Sequence, residues 1–379
     1  MRIVAVMAGM MIAGASPAAG VPDKAEVARL AGEAMASSGA KGLAIAMVDR
    51  GKIVSVQAFG DRNAKGDPLT TDTIMYGASL TKAVFGYYAM LLVDDGKLKL
   101  DWPIAAMLPK PLPEYGNLDA YGNWGDLAGD ARWQDITPRH LLSHSSGFAN
   151  FSFVEPDGKL KIHFPPGARY AYSGEGIILL QFALEKGQGI DVGAEVQRRI
   201  FTPLGMTNTS LQWRSDFARN LADGWMADGK VELHDERGRV RAAGSMDTSI
   251  ADMAKFAAAM AHGWGLKAAT RKAYAAPQLA ITSRQQFPTL IPEARPGQRW
   301  AGLAAGLGVI SFSGPQGRGL MKGGHNDSTA NIMMCIEAKR RCVVILSNDV
   351  RAEAAFPKLV EALLGPTGFA WQWEYPLPG

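Results

Sequence analysis

The sequence predicts an α+β protein: an antiparallel sheet flanked by helices, built from both ends of the chain, with a mainly helical domain inserted between. Two observations carry this. Strand-like runs at 42–48 and 52–60 near the start are matched by runs at 308–312, 331–334 and 343–346 near the end. The stretch between them, from 79 to about 280, reads as mainly helical, with loops near 109–130 and 155–167. Strands alternate and favour β-branched residues, whereas amphipathic helices repeat every three to four positions.

In chain order, Arg2 followed by the apolar or small run 3–15 and the small residues Ser16-Pro17-Ala18-Ala19-Gly20 has the form of a secretory signal over residues 1–20. The run is too short for the roughly 20 residues that span a bilayer, and no cysteine follows it as a lipid anchor would require. The expected location is therefore periplasmic or secreted, with no stable membrane span. Asp49-Arg50-Gly51 is a turn signal between two strands. Residues 21–78 and 285–379 form the expected sheet domain, and 79–284 the helical one, with the active site at their interface. A closing helix is expected near 352–364.

The 379 residues, 47% hydrophobic and 20% charged, suffice for a large core. The 40 basic and 36 acidic residues are interspersed, which argues against a nucleic-acid partner. The two cysteines, Cys335 and Cys342, flank the polar break Glu337-Ala338-Lys339-Arg340. They fit a hairpin disulfide or two buried free thiols, and they make a poor metal site. No metal and no organic cofactor is expected.

Ser79-Leu80-Thr81-Lys82 precedes a strongly apolar run. On a helix, residues three apart share a face, so a lysine kept neutral by burial could take the serine's proton. Ser38-Gly39-Ala40-Lys41 matches the same pattern, so the motif is weak alone. Three further stretches add weight: Thr137-Pro138-Arg139-His140-Leu141-Leu142-Ser143-His144-Ser145-Ser146-Gly147, which opens like a capped helix and ends in a glycine turn; Pro166-Gly167-Ala168-Arg169-Tyr170-Ala171-Tyr172-Ser173-Gly174; and Lys322-Gly323-Gly324. With Ile200-Phe201-Thr202-Pro203-Leu204-Gly205-Met206 and Ala242-Ala243-Gly244-Ser245-Met246, these resemble the serine β-lactamase and penicillin-binding superfamily. The similarity is greatest to its class C β-lactamase and DD-peptidase branch, which also holds esterases and D-amino-acid peptidases.

The resemblance implies a β-lactamase/transpeptidase-like fold, with Ser79 as nucleophile, Lys82 as the first-motif lysine and Tyr172 as general base and proton shuttle. Lys82 and Lys322 beside Tyr172 would stabilise its phenolate. Lys322-Gly323-Gly324 fits the family's Lys-Thr-Gly strand with glycine for threonine. Lys322 would attract a substrate carboxylate, and the N–H groups of Ser79 and His325 would form the oxyanion hole. The implied function is an exported serine hydrolase acting on an amide or ester. A β-lactam or D-alanyl peptide suits Lys322; a carboxylesterase would use it less. A third reading is a penicillin-binding or peptidoglycan-sensing protein that does not turn over.

One departure bears on that choice. The family's Tyr-x-Asn is here Tyr172-Ser173-Gly174, without the asparagine amide. Glu175 follows and is expected at a helix start on the surface. His144 and His325 invite a Ser-His-Asp reading with Asp327 or Asp135, but no Gly-x-Ser-x-Gly elbow surrounds Ser79. His144 suits a structural hydrogen bond, and His325 a substrate contact. Trp102, Tyr115, Tyr121, Trp124 and Trp133 are expected to pack the helical core, with some lining an acyl pocket.

Overall fold

The computed structural model describes residues 20–291, 293 and 300–375. The expected signal segment therefore lies, save its last residue, outside the described residues. The helices are α1 (Lys24–Ser38), α2 (Leu80–Asp94), α3 (Pro138–Leu142), α4 (Gly174–Phe182), α5 (Val192–Val196), α6 (Ile250–His262), α7 (Ala268–Ala275), α8 (Phe356–Leu364) and α9 (Trp371–Glu374). The strands are β1 (Gly42–Asp49), β2 (Lys52–Gly60), β3 (Met75–Tyr76), β4 (Gly224–Trp225), β5 (Val231–Glu232), β6 (Asp247–Thr248), β7 (Leu279–Ala280), β8 (Ala304–Ala305), β9 (Ile310–Gly314), β10 (Gly317–His325), β11 (Ala330–Ile336) and β12 (Arg341–Ser347).

One antiparallel sheet of eight strands runs β2-β1-β12-β11-β10-β9-β8-β7, so the chain's two ends meet where β1 pairs with β12. Side chains alternate between two cores, as a pleated strand requires. Ala44, Ala46, Val344 and Leu346 face the cluster that contains α2 and α6; Leu43, Ile45, Val343 and Ile345 face the one under α1 and α8. With both faces covered, β11 and β12 are buried along their whole length, which is why they read as unbroken apolar runs. Cys335 pairs directly with Cys342 across the β11–β12 hairpin, and the two are joined as a disulfide.

Helix ends follow the local chemistry. Asp23 caps α1 by accepting from Glu26 N–H, and Gly39 ends it in the left-handed conformation. Thr137 and His140 form a capping box on α3. α2 is buried on every side from Leu80 to Leu92, so it threads the core rather than lying on it. Two features depart from the expected layout. α6 lies inside 79–284 yet packs on β1, β2 and β12, so the sheet layer draws on the middle of the chain. Residues 203–249 are mostly irregular, holding one short 3₁₀ turn and the ribbon strands β4, β5 and β6; the polar run 227–239 has no helical apolar period to nucleate on.

Candidate active site

Ser79 stands at the N-terminus of α2, directly after Ala78, whose φ of 46° lies in the left-handed region that a Cβ disfavours. That sharp turn and the burial of α2 fix where the hydroxyl points. Lys82 Nζ lies 3.0 Å from Ser79 Oγ and donates to Ala243 O at 2.5 Å. Tyr172 OH donates to the same Oγ at 2.7 Å. The other serine-lysine match is not built this way: Ser38 bonds back to Ala34 O, and Gly39 ends the helix before an exposed Lys41.

Lys322 and His325 come from β10, where β9 pairs only as far as Met321 and leaves 322–325 with one open edge while β11 covers the other. Lys322 Nζ donates to Gly323 O at 2.7 Å and lies 5.0 Å from the Tyr172 ring centre; Lys82 Nζ lies 4.9 Å from it. Gly324 is required here: a Cβ would stand 2.9 Å from both Ser79 N and Leu80 N. This close approach brings the end of β10 against the start of α2. The Ser79 N–H, facing the end of β10, makes no hydrogen bond to another backbone group of the described residues.

The lysines and the tyrosine titrate in opposite senses for one reason. Burial drives Lys82 well below its ordinary value, and Lys322 adds to this, which favours the neutral amine that can accept a proton. Burial raises the Tyr172 phenol above its ordinary value, against the opposing effect of its bond to Ser79. A raised phenol favours Tyr172 as a proton donor to Ser79 Oγ, where the resemblance implied a phenolate. His144 is neutral, its pKa lowered well below normal by burial, then by Lys82 and Lys322. It accepts from Ser173 N–H at 3.2 Å and packs 4.5 Å from the Tyr172 ring, positioning that ring without reaching Ser79. The acid beside His325 is Glu353, at 2.7 Å, and not Asp327; it raises the His325 pKa.

Ser79, Lys82, Tyr172, Lys322 and His325 line one cavity of about 840 Å³. Its aromatic walls are Phe151, Phe153 and Phe287; Tyr115, Tyr121 and Trp124 instead pack around Phe182 in the helical core. A Cβ at Gly174 would meet the Phe151 ring at 2.4 Å, so an aromatic ring fills the space beside the missing motif amide. Asn150 supplies a nearby amide, its Oδ1 held by Gly174 N–H at 2.9 Å. Glu175 is buried at the start of α4 rather than on the surface, because Ser152 supplies it a partner, and it does not line the cavity. Asn150, Phe151, Phe287, Gln286 and Glu374 all line it without forming part of any sequence motif. Among the described residues no cluster of His, Cys, Asp and Glu has the form of a metal site, and no helix is long and apolar enough to cross a membrane.

The fold is β-lactamase/transpeptidase-like, as in several solved structures. A penicillin-binding protein homologue from Pyrococcus abyssi superposes with a TM-score of 0.71 at 20% identity, covering 92% of this chain and 78% of the other. The D-alanine carboxypeptidase AmpC from Burkholderia cenocepacia gives 0.69 at 19%, covering 89% and 97%. The Beta-lactamase family model matches residues 27–364, so the chain belongs to that family. Among curated relatives, Protein Rv1367c of Mycobacterium tuberculosis is 31% identical over 52% of this chain and 54% of its own length. The lovastatin esterase of Penicillium rubens is 27% identical over 46% and 50%. The chain spans about half the length of the curated relatives it matches.

Proposed function

We propose that this protein is a serine hydrolase that works through an acyl-enzyme at Ser79 on a neutral ester or amide. The observation that carries this is the convergence on Ser79 Oγ of the buried Lys82 amine at 3.0 Å and the Tyr172 phenol at 2.7 Å. Ser79 Oγ attacks the carbonyl carbon while its proton passes to Lys82 Nζ. The resulting oxyanion faces the N–H groups of Ser79 and His325, each worth about 3 kcal/mol to the transition state. Tyr172 protonates the leaving group and is resupplied by Lys82; water then releases the acid by the same steps in reverse.

An apolar acyl group suits the Phe151, Phe153 and Phe287 walls, and the ring beside Gly174 favours an ester over a peptide whose amide side chain needs a partner. The esterase named among the relatives supports this branch, and the D-alanine carboxypeptidase among the structural neighbours keeps the peptidase as the alternative. The Cys335–Cys342 disulfide supports export to an oxidising compartment. The test is serine-dependent turnover of p-nitrophenyl butyrate, nitrocefin and a D-alanyl-D-alanine peptide by wild type and Ser79→Ala. Ester hydrolysis lost in the variant supports the reading. Hydrolysis that persists in the variant overturns it, as does covalent penicillin capture without turnover of any of the three.

A further inference from the structure

At the bottom of the cavity, among groups that the hydrolytic reading leaves unused, stands Glu374. It is the last residue of α9, 7% exposed, and lines the same cavity as Ser79, Tyr172 and Lys322. Its Oε1 lies 2.6 Å from where a Cβ of Gly323 would be, so the carboxylate fills the side-chain space of the residue after Lys322. Its Oε2 accepts from Gln286 Nε2 at 2.7 Å, and Gln286 Oε1 in turn accepts from Tyr170 OH at 2.7 Å. This chain of hydrogen bonds holds the acid in place. Lys322 Nζ donates to Gly323 O, and Lys322 and Glu374 act on each other through their charges, each favouring the other's ionised form.

We propose that Glu374 is a specificity-determining residue of this site, which turns away acyl donors carrying their own carboxylate near the Lys322–Gly324 edge and leaves neutral ones favoured. The inference deepens, and rests on, the acyl-enzyme reading of Ser79. A strand lysine alone would recruit a substrate carboxylate. Glu374 sets a negative charge against that of Lys322, and a second carboxylate meets repulsion in a poorly hydrated place. Discrimination by an unfavourable charge contact is a general route to specificity, and like charges set against each other across a desolvated contact are costly. The mouth adds no such filter: the segment 235–241 carries Arg237, Arg239 and Arg241 against Asp235 and Glu236. An anionic substrate is admitted there and rejected at the floor.

The charge of Glu374 also makes the filter sensitive to pH. Burial pushes its carboxyl up to about 7, opposed by Lys322, with Glu353 raising it and His325 lowering it. Tyr170 and Tyr375 also face it, both with raised pKa values and hence neutral. Below that value Glu374 is protonated and the repulsion is absent; above it the repulsion is present. Burial lowers the pKa of Lys322, so its loss of charge at higher pH acts in the same direction.

The experiment compares kcat/KM for two p-nitrophenyl esters of similar length, the neutral butyrate and the hemisuccinate with its free carboxylate, in wild type and Glu374→Gln, with Ser79→Ala as blank. Glutamine keeps the shape and can still accept from Gln286. The expected result is an anionic-to-neutral ratio at least about 10-fold higher in Glu374→Gln at pH 8. In wild type the same ratio should fall between pH 6 and pH 8, a measurement that needs no variant to fold. An unchanged ratio in the variant, or a flat ratio in wild type, overturns the proposal. Failure of the underlying reading looks different: neither ester would then show any dependence on Ser79, and both inferences would fall together.

Discussion

Lys82 donates to the backbone carbonyl of Ala243 at 2.5 Å, so the amine that reaches Ser79 is held by a segment 161 residues further along the chain. A carbonyl accepts from an amine in either protonation state, which lets Lys82 gain and lose a proton without moving. Lys82→Met keeps the length and suits the buried position, but cannot take a proton. We expect kcat to fall by about 1,000-fold, with the melting temperature unchanged or higher because a buried amine is removed. In wild type, kcat/KM should fall as pH drops through the depressed Lys82 pKa, since only the neutral amine is a base. An acid limb that survives in the residual activity of Lys82→Met would assign that limb to another group.

Tyr172 acts through its proton. Tyr172→Phe retains the ring contacts to His144 and Phe287 and removes only the hydroxyl. Turnover of alkyl esters should fall by about 100-fold or more. p-Nitrophenyl esters should suffer less, because nitrophenolate leaves without being protonated. Equal losses on both substrate types would place the phenol in the attack step instead.

Gly324→Ala tests how closely β10 must approach α2. The new methyl would press on Ser79 N and Leu80 N from 2.9 Å, and backbone at a helix start has little room to yield. A displacement of about 1 Å at a reacting atom can cost about 100-fold. That loss should appear in kcat for every substrate, while the circular dichroism spectrum stays native. Wild-type activity in this variant would mean that the strand end moves freely.

The sequence makes some of this legible and hides the rest for physical reasons. Ser79 and Lys82 are readable because they share one helical face, and β11 and β12 because their strands are buried on both faces. β10 is harder: four glycines in nine residues, in Gly317-Arg318-Gly319-Leu320-Met321-Lys322-Gly323-Gly324-His325, have low strand propensity. Only the family resemblance points to Lys322. The Ala243 carbonyl leaves no mark in the residue type, since every residue has one. Glu374, Gln286 and Asn150 come from a terminal helix turn and two loops, where no period exists to announce them. Tyr172 is visible, but its protonation state is not, because the sign of its shift depends on how completely the surrounding chain excludes water.

The disulfide lies at the turn end of the β11–β12 hairpin, where Cys335 pairs with Cys342, whereas Lys322 lies opposite Met333 nearer the other end. Closing a loop with a sequence separation of 7 restricts the unfolded chain by about 2.5 kcal/mol. Replacing both cysteines by alanine should lower stability by about that amount with kcat nearly unchanged. A large loss of kcat would show that the hairpin's far end controls the active edge of β10.

Glu175 gives a stability prediction apart from catalysis. Burial pushes its carboxyl up to about 7 from 4.5, against the lowering effect of its bonds to Ser152. The folded state therefore holds a proton that the unfolded chain has already lost between those values, and stability drains away as pH rises from 4.5 to 7. Above 7 both states are ionised and the full cost of the buried charge remains. Glu175→Gln removes that cost while keeping an oxygen for Ser152. The variant should match wild type at pH 4 and exceed it at pH 8 by at most about 3 kcal/mol, the free-energy equivalent of such a shift. Urea unfolding at the two pH values measures the difference. Equal gains at both would trace the effect to packing, and a loss at pH 8 would mean that the ionised carboxylate makes contacts worth more than its hydration.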